Sequence, residues 1–430
     1  MSTNINPTNQ VLRVAVVGDP HFFVESSIGA QSVSHIKLMP DGTFKETKKY
    51  ANPWIDLKEL TQSEALSADL LLCVGDITTH ANAVALKSAW GQLLDLGDQL
   101  DAMHIASATG NHDVASRGSL KEVQENPIRW LSEVKGAVEE LKLLDPPYPV
   151  VERQAGTRIS NRHIRTRYFG DAIALVETAR YRLLVLNSCC EHSLEPHQYE
   201  RGTFPQSAQN ALREVLRESG HDEKINLLVC HHPPILHSEN QLGAHDIIEN
   251  GEALVRCLEE HGAWLVIHGH KHHGRISNAQ GSSSPTVVFA AASVGAFLQV
   301  TESGTQNQFY ILDLNLEDGR IAGTVKAWDW HRGLGWRPSP PAKRGIFDGC
   351  GLGLPVTVER IAASIAALGD FPHTWNNIIE KVPLIRFASP TDMGILERRL
   401  ETRHQLLIER DDAGYCREIV KAAVNSQNRI

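Results

Sequence analysis

The sequence contains few cysteines and no apolar segment long enough to cross a membrane. Its seven cysteines, odd in number and irregularly spaced over 430 residues, lack the pattern of a disulfide framework and predict reduced thiols. Residues 1–7 contain neither the basic nor the apolar region of a secretory signal, and no apolar run approaches the roughly 20 residues that span a bilayer. These absences predict a cytoplasmic protein without a membrane segment.

An excess of positive charge is also missing. Lysine and arginine number 42 against 51 aspartates and glutamates, which gives a formal net charge of -9. General binding of polyanions depends on basic side chains that displace counterions from phosphates, so the charge argues against it, although a local basic groove stays open. A loose positive stretch, interpreted as a solvated face, contains Lys326, Arg332, Arg337, Lys343 and Arg344.

Short apolar runs recur along the first 270 residues, and polar residues follow five of them. The runs, predicted to be buried strands, are residues 11–17, 69–74, 104–108, 225–230 and 263–267. Helical periodicity lies between several of them, which predicts an α/β fold, and such folds place their chemistry at the carboxyl ends of strands. The residues at the five strand ends are Asp19, His21, Asp76, Asn111, His112, His231, His270 and His272.

These side chains offer oxygen and nitrogen donors and no sulfur. Such donors suit borderline divalent ions and exclude a structural zinc held by thiolates. A single aspartate after a strand is usually a cap or turn residue, but five strand ends with suitable donors indicate a metal site. The neighbouring His232, His268 and His273 are interpreted as packing or supporting residues. Cys189 and Cys190 are interpreted as buried thiols rather than nucleophiles.

The motifs occur in a definite order between residues 18 and 272: Asp-x-His, Gly-Asp, Gly-Asn-His-Asp, the first histidine of His-His-Pro-Pro, and Gly-His-x-His. In this order they resemble the calcineurin-like metallophosphoesterases. The resemblance implies a four-layer α/β/β/α sandwich with two mixed β-sheets, here followed by a small C-terminal helical region. It also implies two divalent metal ions, with Mn, Fe, Ni and Zn all open.

The resemblance assigns the ligands of each ion. One ion would be held by Asp19, His21, Asp76 and His272. The other would be held by Asp76, Asn111, His231 and His270, so that Asp76 bridges the two. Two cations about 3.5–4 Å apart can clamp the attacking and leaving oxygens of a phosphoryl transfer and activate a hydroxide. His112 is then expected to stabilise the transition state or protonate the leaving alkoxide, and Asp113 to orient His112.

Three functions follow from this interpretation. The first is hydrolysis of a phosphodiester bond in a cyclic nucleotide, another nucleotide or a nucleic acid. The alternative is a phosphoesterase effector or scaffold subunit of a multi-protein assembly, whose C-terminal helices bind a partner or self-associate. The third is a phosphomonoesterase or protein phosphatase.

The domain organisation is predicted from changes in composition. Residues 1–335 are expected to form the catalytic domain, with a long polar loop at 22–55 over the mouth of the site. Residues 336–355 are predicted to be a linker, because glycine and proline dominate from residue 331 onward and the predicted strands end at residue 330. Residues 356–430 carry apolar positions at helical spacing and are predicted to be a C-terminal helical appendage.

Overall fold

The computed structural model of the protein combines β-strands and α-helices, with seven successive strands between Trp264 and Leu352. The structure describes residues 11–24, 34–79, 81–114, 141–154, 157–159, 161–192, 200–219, 223–236, 246–279, 286–297, 306–341 and 345–422. In chain order the strands are β1 (Leu12–Val17), β2 (Phe23–Val24), β3 (Lys37–Leu38), β4 (Leu70–Cys73), β5 (His104–Ser107), β6 (Val150–Gln154), β7 (Thr157–Ile159), β8 (Ile173–Glu177), β9 (Tyr181–Leu186), β10 (Gly202–Thr203), β11 (Ile225–Val229), β12 (Ile248–Glu249), β13 (Trp264–His268), β14 (Arg275–Asn278), β15 (Val287–Ala290), β16 (Asn307–Glu317), β17 (Arg320–His331), β18 (Gly335–Pro338), β19 (Gly351–Leu352), β20 (His373–Thr374), β21 (Leu406–Arg410) and β22 (Cys416–Lys421). The described α-helices are α1 (Pro53–Ser63), α2 (Ala83–Gln99), α3 (Arg162–Gly170), α4 (Gln206–Glu218), α5 (Gly251–Glu259), α6 (Val358–Ala366), α7 (Trp375–Lys381) and α8 (Pro390–Arg399).

Two mixed sheets form the centre of the molecule. The first has the order β18-β17-β16-β1-β4-β5-β6-β7, with β19 also paired to β17. The second has the order β14-β15-β13-β11-β9-β8. Strands β1, β4 and β5 are parallel to one another, as are β9, β11, β13 and β15. The predicted α/β class with mixed sheets is therefore confirmed, and each parallel set delivers its strand ends to one edge.

Alternation along the strands of the second sheet divides its side chains between two apolar clusters. Leu227 and Val229 of β11 belong to the large cluster that contains the strands of the first sheet. Leu228, between them, packs with α4 and α5 in a second cluster. Because successive strand side chains point to opposite faces, one face of the sheet meets the first sheet and the other is covered by helices.

The five predicted strands that lead into the motifs are all present, each within two residues of its predicted bounds. Helix α1 begins at Pro53, because the Asn52 side chain accepts a hydrogen bond from the Trp54 amide and Pro53 occupies the first helical position. Among the described helices, none has the length and hydrophobicity needed to cross a membrane.

The prediction that strands end at residue 330 is wrong. Strands β18 and β19 lie within the glycine- and proline-rich stretch and pair with β17, so this stretch extends the first sheet. They contain four and two residues, too few for a periodic signal. The predicted domain boundaries at residues 335 and 355 stay a prediction, with both strands near or inside the predicted linker.

The region after residue 355 contains the predicted helices together with an unpredicted sheet. Strands β20, β22 and β21 form a three-stranded antiparallel sheet in that order. The helical pattern was expected to continue through Leu406 and Leu407, but Gln405 has a φ of 56° and ends the helical segment before them. Helices and sheet share a small apolar core that includes Ile361, Leu396 and Ile419.

Candidate metal centre

The predicted site residues converge where the strand ends of the two sheets meet. Two glycines make this approach close enough. A Cβ on Gly269, after β13, would lie 2.4 Å from Asp19 Oδ1, and a Cβ on Gly110, after β5, would lie 2.1 Å from Asp76 Oδ1. Only residues without a side chain allow these loops to come so near to the two carboxylates.

Left-handed backbone conformations are concentrated at this convergence. Asp19, His21, Asp76, His270 and His272 have φ values of 33°, 52°, 47°, 73° and 54°. For residues other than glycine, such conformations cost on the order of 1–3 kcal/mol each and persist only where the surroundings enforce them. Five of the seven predicted metal ligands share this conformation. It turns the backbone sharply after the strand and directs the side chain into the site.

One group of donors lies around His21. Its Nε2 is 3.0 Å from Nε2 of His272 and 3.7 Å from Oδ2 of Asp76. Nε2 of His272 is also 3.7 Å from Oδ2 of Asp19. These four residues are the set that the family resemblance assigns to one ion.

A second group lies around His231. Its Nε2 is 3.0 Å from Oδ1 of Asn111, 3.1 Å from Nδ1 of His270 and 3.4 Å from Oδ2 of Asp76. Nδ1 of His231 donates a hydrogen bond to the Val74 carbonyl at 3.0 Å, which leaves a lone pair on Nε2 toward the other donors. Oδ2 of Asp76 therefore faces both groups.

The donor positions fit metal ions. Two nitrogen ligands about 2.1 Å from one ion, at about 90–110° to each other, are about 3.0–3.4 Å apart. The His21–His272 and His231–His270 nitrogen separations of 3.0 and 3.1 Å match this spacing. In addition, Oδ1 of Asp19 is buried without a hydrogen-bond partner among the described residues. The two groups can thus hold two ions with Asp76 between them.

Burial adjusts the charge of these ligands. It lowers the pKa of His270 well below its usual value and that of His272 to about 4, so both rings are neutral donors at neutral pH. Burial and the Asp76 carboxylate raise the pKa of Asp19. Carboxylates buried together repel one another, and a bound cation relieves this repulsion.

The orientation of His112 differs from the prediction. Nδ1 of His112 lies 2.7 Å from the carbonyl oxygen of Thr79, so this carbonyl, rather than Asp113, accepts from the ring. The Asp113 carboxylate instead accepts hydrogen bonds from the amides of Thr78 at 2.8 Å and Gly110 at 2.9 Å. Through these two hydrogen bonds Asp113 links the loop after β4 to the loop after β5. The role of Thr79 had no signal in the sequence, because every residue carries a backbone carbonyl.

The other histidines of the motifs have different surroundings. Nδ1 of His232 lies 2.8 Å from Oγ of Ser188, and its ring packs 4.5 Å from that of His270. His268 is buried beside the Gly269 carbonyl, and His273 is half-buried. Of the two neighbouring cysteines, Cys189 is buried as predicted, whereas Cys190 is exposed, because the turn after β9 carries it outward. All seven cysteines are free.

The sequence profile of calcineurin-like phosphoesterases matches residues 12–274, which contain every residue of both donor groups. The chain belongs to this family. It is therefore a member of a family of metal-dependent phosphoric ester hydrolases, and the donor groups are its candidate binuclear centre. No curated protein sequence matches the chain.

Several solved structures resemble the chain. A dimetal phosphatase from Danio rerio is 14% identical, covers 75% of this chain and 98% of its own, and has a TM-score of 0.44. Vacuolar protein sorting 29 from Cryptosporidium parvum is 11% identical over 76% of this chain and 94% of its own, with a TM-score of 0.32. The corresponding protein from Chaetomium thermophilum is 8% identical over the same shares, with a TM-score of 0.26. Sequence identities and TM-scores this low do not indicate which substrate the chain acts on.

Proposed function

We propose that the protein hydrolyses a phosphodiester bond in a cyclic nucleotide, another nucleotide or a nucleic acid. The observation that carries this proposal is the position of His112, directly after the ligand Asn111 and with its ring 5.1 Å from that of the ligand His21. A positioned imidazole can protonate a poor alkoxide leaving group, a step that matters for diesters. His112 is thus the proposed catalytic residue.

In the proposed reaction, Asp19, His21, Asp76 and His272 hold one ion, and Asp76, Asn111, His231 and His270 hold the other. When bound, two such ions, chosen from Mn, Fe, Ni and Zn, supply the Lewis acidity that generates the nucleophile and neutralises charge on the phosphate. The protein positions five of these ligands by left-handed turns after its strands and keeps His270 and His272 neutral through burial.

The proton transfer is assigned to Nε2 of His112. Nδ1–H donates to the Thr79 carbonyl, which fixes the ring in one orientation. The imidazolium form gives its Nε2 proton to the leaving oxygen and becomes the neutral ring that keeps its proton on Nδ1. Asp113 acts as a positioning residue, since its carboxylate fixes the loops that carry Thr78 and Gly110.

Hydrolysis of bis-p-nitrophenyl phosphate tests the proposal directly. The intact protein is assayed with Mn²⁺, Fe²⁺, Ni²⁺ and Zn²⁺ in turn, beside an Asp76→Ala variant. We expect turnover that the variant loses. Absence of turnover with every ion, or unchanged activity of the variant, contradicts the proposal. A panel of cyclic mononucleotides, dinucleotides, single-stranded DNA and RNA then defines the substrate.

A phosphomonoesterase or protein phosphatase is the competing catalytic function. The two are separated by comparing the kcat/KM of the wild type for p-nitrophenyl phosphate and for its bis ester. Diester specificity predicts a preference for the bis ester. A preference for the monoester favours the phosphomonoesterase.

A second candidate is an effector or scaffold subunit that self-associates or binds a partner through residues 356–430. Strand β21 lies at the edge of its sheet and Leu407 on it is 38% exposed. An edge strand with an exposed leucine is a surface to which another strand can add. Sedimentation of wild type and Leu407→Glu tests self-association: a mass that is monomeric in both proteins contradicts it.

The predicted cytoplasmic location suits the seven free cysteines.

A further inference from the structure

A cluster of sulfur and nitrogen donors lies beside the candidate binuclear centre. Strands β9 and β11 are parallel neighbours, so the residues that follow them lie side by side. Cys189 follows β9 and His232 follows β11, with Sγ of the cysteine 3.9 Å from Nδ1 of the histidine. His192 returns to the pair through a turn in which its amide donates to the Cys189 carbonyl.

The three side chains offer ligand atoms within reach of one ion. One donor atom from each of Cys189, His192 and His232 lies within 4.8 Å of the other two. For a tetrahedral zinc ion, sulfur and nitrogen ligands are about 3.6 Å apart and two nitrogens about 3.4 Å apart. The donors therefore need to approach by at most about 1 Å, which changes of side-chain torsion supply.

A buried imidazole nitrogen without a hydrogen-bond partner indicates a bound ligand that accepts its lone pair or its proton. His232 is fully buried, and its Nε2 has no hydrogen-bond partner among the described residues. Its other nitrogen, Nδ1, is the one that lies 3.9 Å from the Cys189 thiol, and it also lies 2.8 Å from Oγ of Ser188, so an ion that Nδ1 shares with Cys189 replaces this hydroxyl contact. For His192, Nε2 lies 3.0 Å from the Arg201 carbonyl, which makes Nδ1 the ligand atom of that ring.

We propose that Cys189, His192 and His232 form a further metal site that takes one thiophilic ion, Zn²⁺ or Cu⁺. Metal binding releases the thiol proton that Cys189 otherwise donates to the Thr109 carbonyl at 3.2 Å. The thiolate formed, with two imidazoles, selects such ions over Mn²⁺ or Mg²⁺. The site differs in chemistry from the binuclear centre, whose ligands include no sulfur. It adjoins that centre, because the ring of His232 packs 4.5 Å from the ring of the ligand His270.

Cadmium provides a probe that separates the two sites. A thiolate bound to Cd²⁺ gives an ultraviolet charge-transfer band, and the binuclear ligands cannot produce it. The full-length protein is loaded with Mn²⁺ and titrated with Cd²⁺ while absorbance is recorded. We expect a band that saturates at one equivalent and is removed by competing Zn²⁺.

Variants identify the residues that produce the charge-transfer band. Cys189→Ser is expected to abolish it, and His192→Gln to weaken Cd²⁺ binding by roughly tenfold or more. The matched control is Cys190→Ser, which removes the exposed neighbouring thiol and is expected to keep the band. Circular dichroism checks that each variant is folded, and the half-buried position of His192 tolerates substitution better than the buried thiol.

Three results overturn the proposal: no thiolate band in the wild type, a band that survives in Cys189→Ser, or unchanged affinity in His192→Gln. The spectroscopic readout does not depend on phosphodiester turnover. Failure of the proposed enzymatic function and failure of this metal site are therefore observed separately.

Discussion

Nδ1 of His112 donates a hydrogen bond to the carbonyl oxygen of Thr79 across 2.7 Å, which fixes the imidazole without using a carboxylate. In the proposed mechanism the other nitrogen passes a proton to the leaving oxygen. We predict that His112→Asn lowers kcat for diesters with alkoxide leaving groups by about 10²- to 10⁴-fold. The loss is expected to be much smaller for p-nitrophenol esters, whose leaving group needs no proton.

Metal content, measured by mass spectrometry of the purified variant, is the control for this prediction. It should stay unchanged, because His112 is not in either donor group. Equal losses for good and poor leaving groups contradict a role in protonation.

Substitution of the shared ligand should affect both ions. Oδ2 of Asp76 is 3.7 Å from Nε2 of His21 and 3.4 Å from Nε2 of His231, so we predict that Asp76→Asn lowers the occupancy of both ions. His270→Ala should lower the occupancy of one, and His273→Ala should retain both. Elemental analysis of the three proteins measures this. Full metal content in His270→Ala contradicts the ligand assignment.

Asp113→Asn should destabilise the protein. The carboxylate accepts from the amides of Thr78 and Gly110, and an asparagine would turn its own NH₂ group toward one of these donors. Leaving a buried donor without an acceptor costs about 1–3 kcal/mol. Urea unfolding measures the free energy of unfolding. An unchanged transition midpoint contradicts the positioning role that we assign to Asp113.

Stability at acidic pH should depend on His35. Burial, Arg332 and Lys37 lower its pKa from 6.5 to about 4. As pH falls from 6.5 toward 4 the unfolded chain binds a proton that the folded protein does not, so this ring makes the protein less stable over that window. When the pH falls from about 7 to about 5, the free energy of unfolding of His35→Gln should decrease by about 1 kcal/mol less than that of the wild type. This value allows for partial exposure of the ring. Urea unfolding at the two pH values measures these changes, and equal changes in the variant and the wild type contradict the prediction.

Two glycines test how the C-terminal region packs on the first sheet. A Cβ on Gly351 would lie 2.3 Å from the backbone of Phe387, whereas nothing lies within 4 Å of one on Gly394. We predict that Gly351→Ala destabilises by about 1–3 kcal/mol through overpacking. The control, Gly394→Ala in the middle of α8, should be neutral or stabilise by up to about 1 kcal/mol. Thermal unfolding of both variants measures the difference, and a neutral Gly351→Ala contradicts this packing.

The α/β class and the family can be recognised in the sequence, and the resemblance to that family implies the seven candidate ligands. Buried strands are continuous apolar runs, and the polar residues after them are recognisable by type and order along the chain. Residues such as Asp19 and His270 can be identified in this way although they lie 251 positions apart. Local composition carries this information before any contact is known.

Three features depend on how the whole chain packs: the Thr79 carbonyl orients His112, β18 and β19 extend the first sheet, and Cys189, His192 and His232 lie together. A backbone carbonyl carries no mark in the sequence, and two- to four-residue strands have no period. The cysteine and histidine come together because β9 and β11 are adjacent, and strand adjacency is set by the packing of the whole sheet rather than by local residues.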